Sequence, residues 1–207
     1  MIIAFTGKAG SGKTTAASLV EKHAPTSMRV ERFSFAASLK QAASLIFGPT
    51  FSDEFEEYKG IYGRPPAFYG TQAQKAMPRD QALGGRSGRE LLQELGSLCR
   101  EFNEDVFLNH LQRSAPGVIQ VIDDLRYPNE AARVQKLGGQ VIGLRVLDEP
   151  FEAVGHASEA DLVTHWDEMT TSRLTVPRGD LEGLENYVQG LFDEPAYGRT
   201  HRTGGWR

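Results

Sequence analysis

Gly7-Lys8-Ala9-Gly10-Ser11-Gly12-Lys13-Thr14 gathers more chemistry into one stretch than any other part of the chain. It fits G-x-x-x-x-G-K-[ST] at every fixed position. Gly7, Gly10 and Gly12 free the backbone to turn successive N–H groups inward, with Ala9, Ser11 and Thr15 supplying further amides around an anion. Lys13 is a compact cation of the right reach for β- and γ-phosphates, and the Thr14 hydroxyl is a hard oxygen ligand suited to Mg²⁺. The combination suits a triphosphate such as ATP, bound with its metal. The alternative, a glycine-rich turn beside a solvated lysine, leaves the flanks unexplained.

Those flanks are a strand and a helix. Ile2-Ile3-Ala4-Phe5 is apolar and too short for a helix, so it reads as a buried strand. Ala16, Leu19, Val20 and His23 recur at helical spacing, which starts a helix near Gly12. A helix N-terminus adds partial positive charge where the glycine loop ends.

A loop that holds phosphates needs a carboxylate on the metal side. Residues 118–122 are a near-continuous β-branched run that ends in Asp123-Asp124, as a central parallel strand reads when its C-terminal edge faces a ligand. Asp124, or its neighbour Asp123, can hold a water on Mg²⁺ or orient an attacking hydroxyl. The other reading is a turn-forming pair that caps the next helix. Arg126, two residues on, can hold a phosphate bidentately.

The remaining elements alternate. Residues 29–35 read as a strand, and Leu39, Ala42, Ala43 and Ile46 as one helix face stopped by Gly48-Pro49. Periodicity vanishes over 51–88, where short helical pieces and mobile loops are expected. The next helix sets Leu91, Leu92, Leu95, Leu98, Cys99 and Phe102 on one side and Arg89, Gln93, Gly96 and Arg100 in a polar stripe on the other. A glycine inside that stripe costs about 1 kcal/mol against alanine, which predicts close approach by a ligand or a backbone, or else an incidental glycine on a solvated face. A helix over 103–114 is expected to bury Val106, Phe107 and Leu111. Helix 128–137, strand 140–146, strand 173–176 and a final helix capped by Asp180 complete the pattern, with Leu181, Leu184, Val188, Leu191 and Phe192 on one face. Strands alternating with helices predict an α/β fold, a parallel sheet covered on both sides.

Composition narrows the rest. The chain has 207 residues, 40% hydrophobic and 24% charged, enough for one domain with an inserted piece. A net charge of −4 offers no overall attraction to a polyanion, so nucleic acid is not the expected partner. One cysteine excludes an internal disulfide and a zinc cluster, and fits a reducing cytoplasm. No run approaches the ~20 apolar residues of a membrane span, and no signal peptide is recognisable.

At the level of motifs, Asp124-Leu125-Arg126-Tyr127-Pro128-Asn129-Glu130 resembles the D-x-R-[FY]-x-N-E signature of phage-type deoxynucleoside monophosphate kinases, within the P-loop nucleoside monophosphate kinases. Phe35-Ala36-Ala37-Ser38-Leu39-Lys40 is similar to that family's F-A-x-P-L-K, with Ser38 in the proline position. Arg89-Glu90-Leu91-Leu92-Gln93-Glu94-Leu95-Gly96-Ser97 resembles R-x-L-L-Q-x-L-G-T, and Arg100 follows at the usual distance. His156-Ala157-Ser158-Glu159 is similar to the H-x-S-E box, and 179–184 to the closing G-x-L-x-x-L.

The resemblance implies a three-layer P-loop fold with a five-stranded parallel sheet over 1–195. Within it, 37–116 would be an inserted, mostly helical acceptor-binding subdomain and 147–169 a lid, with a disordered tail over 196–207. It implies transfer of a phosphoryl group from ATP to a deoxynucleoside monophosphate, with Mg²⁺ on Thr14 and Asp124. Lys13, Asp124 and Arg126 would be catalytic, and Lys40, Arg89, Gln93, Arg100 and Arg126 would hold the acceptor. Lys40 also reads as a lysine snorkelling from its helix. Arg178 would pack on the adenine or stand in an exposed loop. Such lids usually carry arginines, yet 147–168 contains no Arg or Lys. His156, Ser158 and Glu159 are its polar candidates, Ser158 also reading as a helix cap, with Arg145 or Arg173 as substitutes for the missing arginine. A phage-encoded enzyme would work in the host cytoplasm, and the sequence is compatible with a homodimer. Two other functions fit the loop: a kinase acting on a hydroxymethylated base in DNA, and a nucleotide-gated ATPase or binding protein with no acceptor.

Overall fold

In a computed structural model, residues 1–47, 86–152 and 157–193 are described. Five strands form one parallel sheet in the order β2-β3-β1-β4-β5: β1 (Ile2–Thr6), β2 (Arg29–Phe33), β3 (Val118–Ile122), β4 (Gln140–Val146) and β5 (Ser172–Val176). The helices are α1 (Lys13–His23), α2 (Ala37–Phe47), α3 (Gly88–Phe102), α4 (Pro128–Lys136), α5 (Ala157–Thr164), α6 (Trp166–Met169) and α7 (Leu181–Asp193). The α/β class and the five parallel strands are those expected from the sequence. The expected closing stop at Gly48-Pro49, most of 51–88 and the tail fall outside the described residues.

The chain divides into two compact units, one of Met1–Ser34 with His110–Arg207 and the other of Phe35–Asn109. In the first, β1 is central and buried along its whole length, so its side chains must serve both faces. Ile3 and Phe5 join Ile142 and Leu144 of β4 under Ala16, Ala17 and Val20 of α1 and Leu184 and Val188 of α7. On the opposite face a Cβ on Gly139 would meet Val134 of α4 and Ile2, which shows how closely α4 lies on the sheet. Lys22 of α1 donates to Glu185 Oε1 of α7 at 2.7 Å, and His23 Nε2 lies 2.6 Å from the same oxygen. These two contacts hold the Glu185 carboxyl below the usual carboxylate range.

Gly143, in the middle of β4, lets the Trp166 ring lie directly on the sheet. An added Cβ there would stand 2.6 Å from Trp166 Cζ2 and 2.7 Å from Thr170 Cγ2. Both neighbours are buried, so Gly143→Ala is expected to cost about 1–3 kcal/mol through overpacking, read as a lower urea midpoint at unchanged slope.

In the second unit α2 and α3 cross where Leu39 packs on Gly96, with Ala43 and Leu91 buried beside them. Ser87 caps α3 reciprocally: its hydroxyl accepts from Glu90 N–H at 3.2 Å, and its own N–H donates to the Glu90 carboxylate at 2.8 Å.

Two expectations need correction here. Residues 103–114 are not a helix: Asn103 is extended, its side chain accepts the Asp105 N–H at 3.0 Å, and only a 3-10 turn, Val106–Leu108, follows. That Asx turn is a local competitor to helix. Phe107 and Leu111 are nonetheless buried. Ile46, Leu98, Phe102 and Leu181 are exposed, Phe102 at 85%, although the spacing set them on inner faces. Each stands in the first turn of its helix or in the last two, where spacing continues after packing has ended. Among the described residues no helix is long and apolar enough to cross a membrane.

Candidate active site

The C-terminal ends of β1, β3 and β4 lie side by side, and the glycine loop leaves from the middle one. Gly7, Gly10 and Gly12 have φ of 149°, 80° and 91°, values that L side chains rarely adopt. Gly12 is the N-cap of α1, so Lys13, Thr14 and Thr15 form its first turn, where free N–H groups gather. Lys13 Nζ donates to the carbonyls of Gly7 at 2.8 Å and Lys8 at 2.7 Å, arching back over the loop it belongs to. Thr14 and Thr15 are exposed. Ser11 Oγ is buried and has no hydrogen-bond partner among the described residues. An orphaned hydroxyl and a lysine bonded to its own loop are what a cradle built for an anion leaves behind.

The neighbouring strand end separates the two aspartates. Asp123 Oδ2 lies 3.4 Å from Arg32 NH1, in a cluster where Arg32 also pairs with Glu21 (2.5 Å) and donates to Ser18 Oγ (3.0 Å). That arginine pulls the Glu21 carboxyl below its ordinary range. Asp124 instead accepts a hydrogen bond from Ser34 Oγ, at the end of β2, at 2.6 Å. The turn that follows is tightly held. Glu130, 2% exposed, accepts from the N–H groups of Arg126 (2.8 Å) and Tyr127 (3.1 Å), and Thr6 Oγ1 donates to the Leu125 carbonyl at 2.9 Å. The Arg126 side chain is exposed. Among the described residues no group of three or more His, Cys, Asp or Glu could hold a metal ion by itself. The Thr14 hydroxyl and the Asp124 carboxylate are hard oxygen donors of the kind Mg²⁺ takes alongside water and substrate phosphate oxygens.

Beyond β4 the chain turns at Asp148 (φ 63°) and passes the phosphate loop. Lys8 Nζ donates to the carbonyls of Pro150 (3.2 Å) and Glu152 (2.9 Å). Arg145 lies over the Phe151 ring at 4.3 Å, and that ring meets Trp166 edge-on at 4.6 Å. Arg178 Nε donates to Glu149 Oε1 at 2.8 Å, and a Cβ on Gly10 would lie 3.8 Å from the same guanidinium. Arg173 is engaged elsewhere, with Asp167 Oδ1 at 2.6 Å and Thr170 Oγ1 at 2.8 Å. Of the two arginines considered for the lid, Arg145 is therefore the one beside the loop. Ser158 and Glu159 stand in the first turn of α5, which begins at Ala157, so Ser158 is one residue inside the helix rather than its cap. His156 lies outside the described residues.

In the Phe35–Asn109 unit, Gln93 and Arg100 stand one turn either side of Gly96, and Lys40 follows the Leu39 that packs there. An ideal Cβ on Gly96 would be 3.2 Å from Leu39 Cδ2 and 3.6 Å from Arg100 NH1. The close approach that the glycine admits is thus a leucine of α2, not a ligand or a backbone, and Gly96 is buried within the stripe. Arg100 stacks over the Phe107 ring at 4.6 Å, and Arg89 stands two turns away from Gly96, exposed.

In an alignment of 181 positions that covers 78% of this chain and 82% of the other, the sequence is 33% identical to a protein of Acanthamoeba polyphaga mimivirus provisionally named a deoxynucleotide monophosphate kinase. The chain belongs to the deoxynucleotide monophosphate kinase family. No family model matches it. Among solved structures, it is similar to an APS kinase of Mycobacterium tuberculosis (13% identity, TM-score 0.38) and to shikimate kinases of Aquifex aeolicus (14%, 0.37) and Bacteroides thetaiotaomicron (14%, 0.36). These span 93%, 93% and 94% of this chain and 96%, 96% and 99% of theirs. Scores this low add nothing to the topology described above.

This P-loop kinase uses several residues that spacing alone did not single out. Ser34 and Thr6 support the 124–130 motif from outside it, Glu130 supports the turn of the motif it closes, and Lys8 ties 149–152 to the loop. The clamping role of Glu130 could have been read, because an acid three residues after a helix N-cap is a capping signal. Ser34 and Thr6 carry no such mark, since only pairing of the strands brings them to the loop edge. Ser34→Ala leaves Asp124 without its hydroxyl donor and is expected to lower kcat about tenfold, the worth of one hydrogen bond to a charged group. The loss should shrink as Mg²⁺ is raised, and a titration of rate against Mg²⁺ checks it.

Proposed function

We propose that this kinase transfers the γ-phosphoryl group of ATP to the α-phosphate of a deoxynucleoside monophosphate, giving the diphosphate and ADP. The observation that carries the reading is the turn at 124–126. Glu130 and Thr6 clamp its backbone so that Asp124 and Arg126 stand at the sheet edge from which the phosphate loop departs. An ATPase switch needs the loop and a carboxylate, but has no use for an arginine whose backbone is clamped at the same edge.

The division of labour follows from charge. The loop amides and Lys13 hold the donor phosphates, which requires the Lys13 amine to leave the Gly7 and Lys8 carbonyls for phosphate oxygens. Mg²⁺ bound with ATP neutralises charge on the β- and γ-oxygens, with Thr14 and Asp124 as its protein-side groups. Arg126 is assigned to the acceptor phosphate, and Lys40, Arg89, Gln93 and Arg100 to binding of the acceptor nucleotide. Arg145 serves in place of the arginine missing from 147–168, and His156, Ser158 and Glu159 belong to that same covering region. Phosphoryl transfer asks mostly for positioning and charge stabilisation, and little covalent work from the protein.

The test is direct. Purified protein is incubated with Mg-ATP and each deoxynucleoside monophosphate in turn, and diphosphate is measured. Stoichiometric diphosphate and ADP with at least one acceptor is expected. ATP hydrolysis that ignores every acceptor would overturn the reading. Activity that needs a DNA polymer and falls steeply with salt would point to the base-modifying alternative.

A further inference from the structure

Four consecutive residues after β4, 149–152, are each tied to something. Glu149 holds Arg178 through its carboxylate, and the Pro150 and Glu152 carbonyls accept from Lys8. The Phe151 ring lies between Arg145 and Trp166. Lys8 occupies a free position of the loop motif, where any residue satisfies the pattern. Its ammonium is engaged by carbonyls 142 and 144 residues away in sequence rather than turned toward the loop interior as Lys13 is.

We infer that Lys8 is a positioning residue for the donor nucleotide. It ties 149–152 to the phosphate loop, so that Glu149 holds the Arg178 guanidinium beside Gly10 and the Arg145–Phe151–Trp166 stack stays closed. The inference rests on the reading of ATP as donor and adds a residue to it. Lys8 acts through hydrogen bonds to backbone, so its effect passes through the segment and not through a phosphate. Two consequences separate this from a plain phosphate contact: the Trp166 surroundings change when Lys8 is removed, even without nucleotide, and Glu149 behaves like Lys8 although it is outside the loop.

The experiment uses the whole chain carrying Trp206→Phe, which leaves Trp166 as the single tryptophan of two. Lys8→Met, Lys8→Arg and Glu149→Gln are compared for calorimetric binding of a non-hydrolysable ATP analogue with Mg²⁺, for Trp166 emission, and for kcat and KM. Lys8→Met is expected to weaken analogue binding about tenfold, as loss of hydrogen bonds from a charged donor predicts, and to raise KM for ATP far more than it lowers kcat. Its Trp166 emission should shift to the red without nucleotide, and Lys8→Arg should restore both. Glu149→Gln should weaken the analogue in the same direction. Unchanged affinity in Lys8→Met overturns the inference, and so does lost affinity with Trp166 emission untouched. If Lys8→Met does not fold, Glu149→Gln decides: wild-type affinity there overturns it. Because analogue binding needs no acceptor, failure to phosphorylate any monophosphate would sink the proposed reaction while leaving this result readable.

Discussion

Lys13→Met is expected to lower turnover by about 10³-fold or more, the scale on which removal of a charge-stabilising group at a transferring phosphoryl acts. The methylene stem is kept and only the ammonium is lost. In the structure that ammonium satisfies two loop carbonyls, of Gly7 and Lys8. The Lys8 carbonyl also accepts the Ser11 N–H at 3.2 Å, so one of the two keeps a partner. The stability cost should therefore stay near ~1 kcal/mol, a single hydrogen bond's worth. Far-ultraviolet circular dichroism and a urea titration would show a folded protein, and steady-state rates would show the loss. A variant within tenfold of the parent would remove Lys13 from the chemistry.

Gly7→Ala should be nearly as damaging, for a different reason. The added Cβ would fall inside contact distance of the Leu144 carbonyl oxygen and 2.5 Å from Ser11 Oγ, in a backbone conformation that alanine seldom takes. Leu144 belongs to the buried strand β4, so its carbonyl cannot retreat, and the loop must move instead. Strain of this kind costs about 1–3 kcal/mol before the clash is counted. The expectation is a lower urea midpoint together with loss of ATP-analogue binding, whereas Lys13→Met spares the first. Gly7→Ala with normal binding and stability would mean that the loop has a second geometry available.

The sheet was legible because its central strands are buried on both faces and so read as short β-branched runs: β3 and β4 begin where the sequence predicts. Helix α4 was equally clear, announced by Pro128 and closed by Gly138 at φ 80°. What misled was spacing without a stop signal. Phe102 continues the apolar side of α3, yet it is exposed, and the Asn103 turn that ends the helix looks in sequence like one more polar residue. Gly96 raised the right question, and the occupant proved to be Leu39, whose contact no local pattern can specify. Residues of a contiguous motif stand out in the sequence, whereas Ser34 and Lys8 reach hydrogen-bond partners 90 to 144 residues away, contacts that become visible only once the strands are in order.

The Phe35–Asn109 unit leaves the other unit after Ser34 and rejoins it at His110, between β2 and β3. It is a single uninterrupted cassette, spliced in where one parallel strand has ended and its neighbour has yet to begin. Such a module can be exchanged as one piece without altering the order of the strands on either side of it. Under the proposed reaction, relatives are thus expected to diverge in taste for the accepted nucleotide before they lose the phosphate loop.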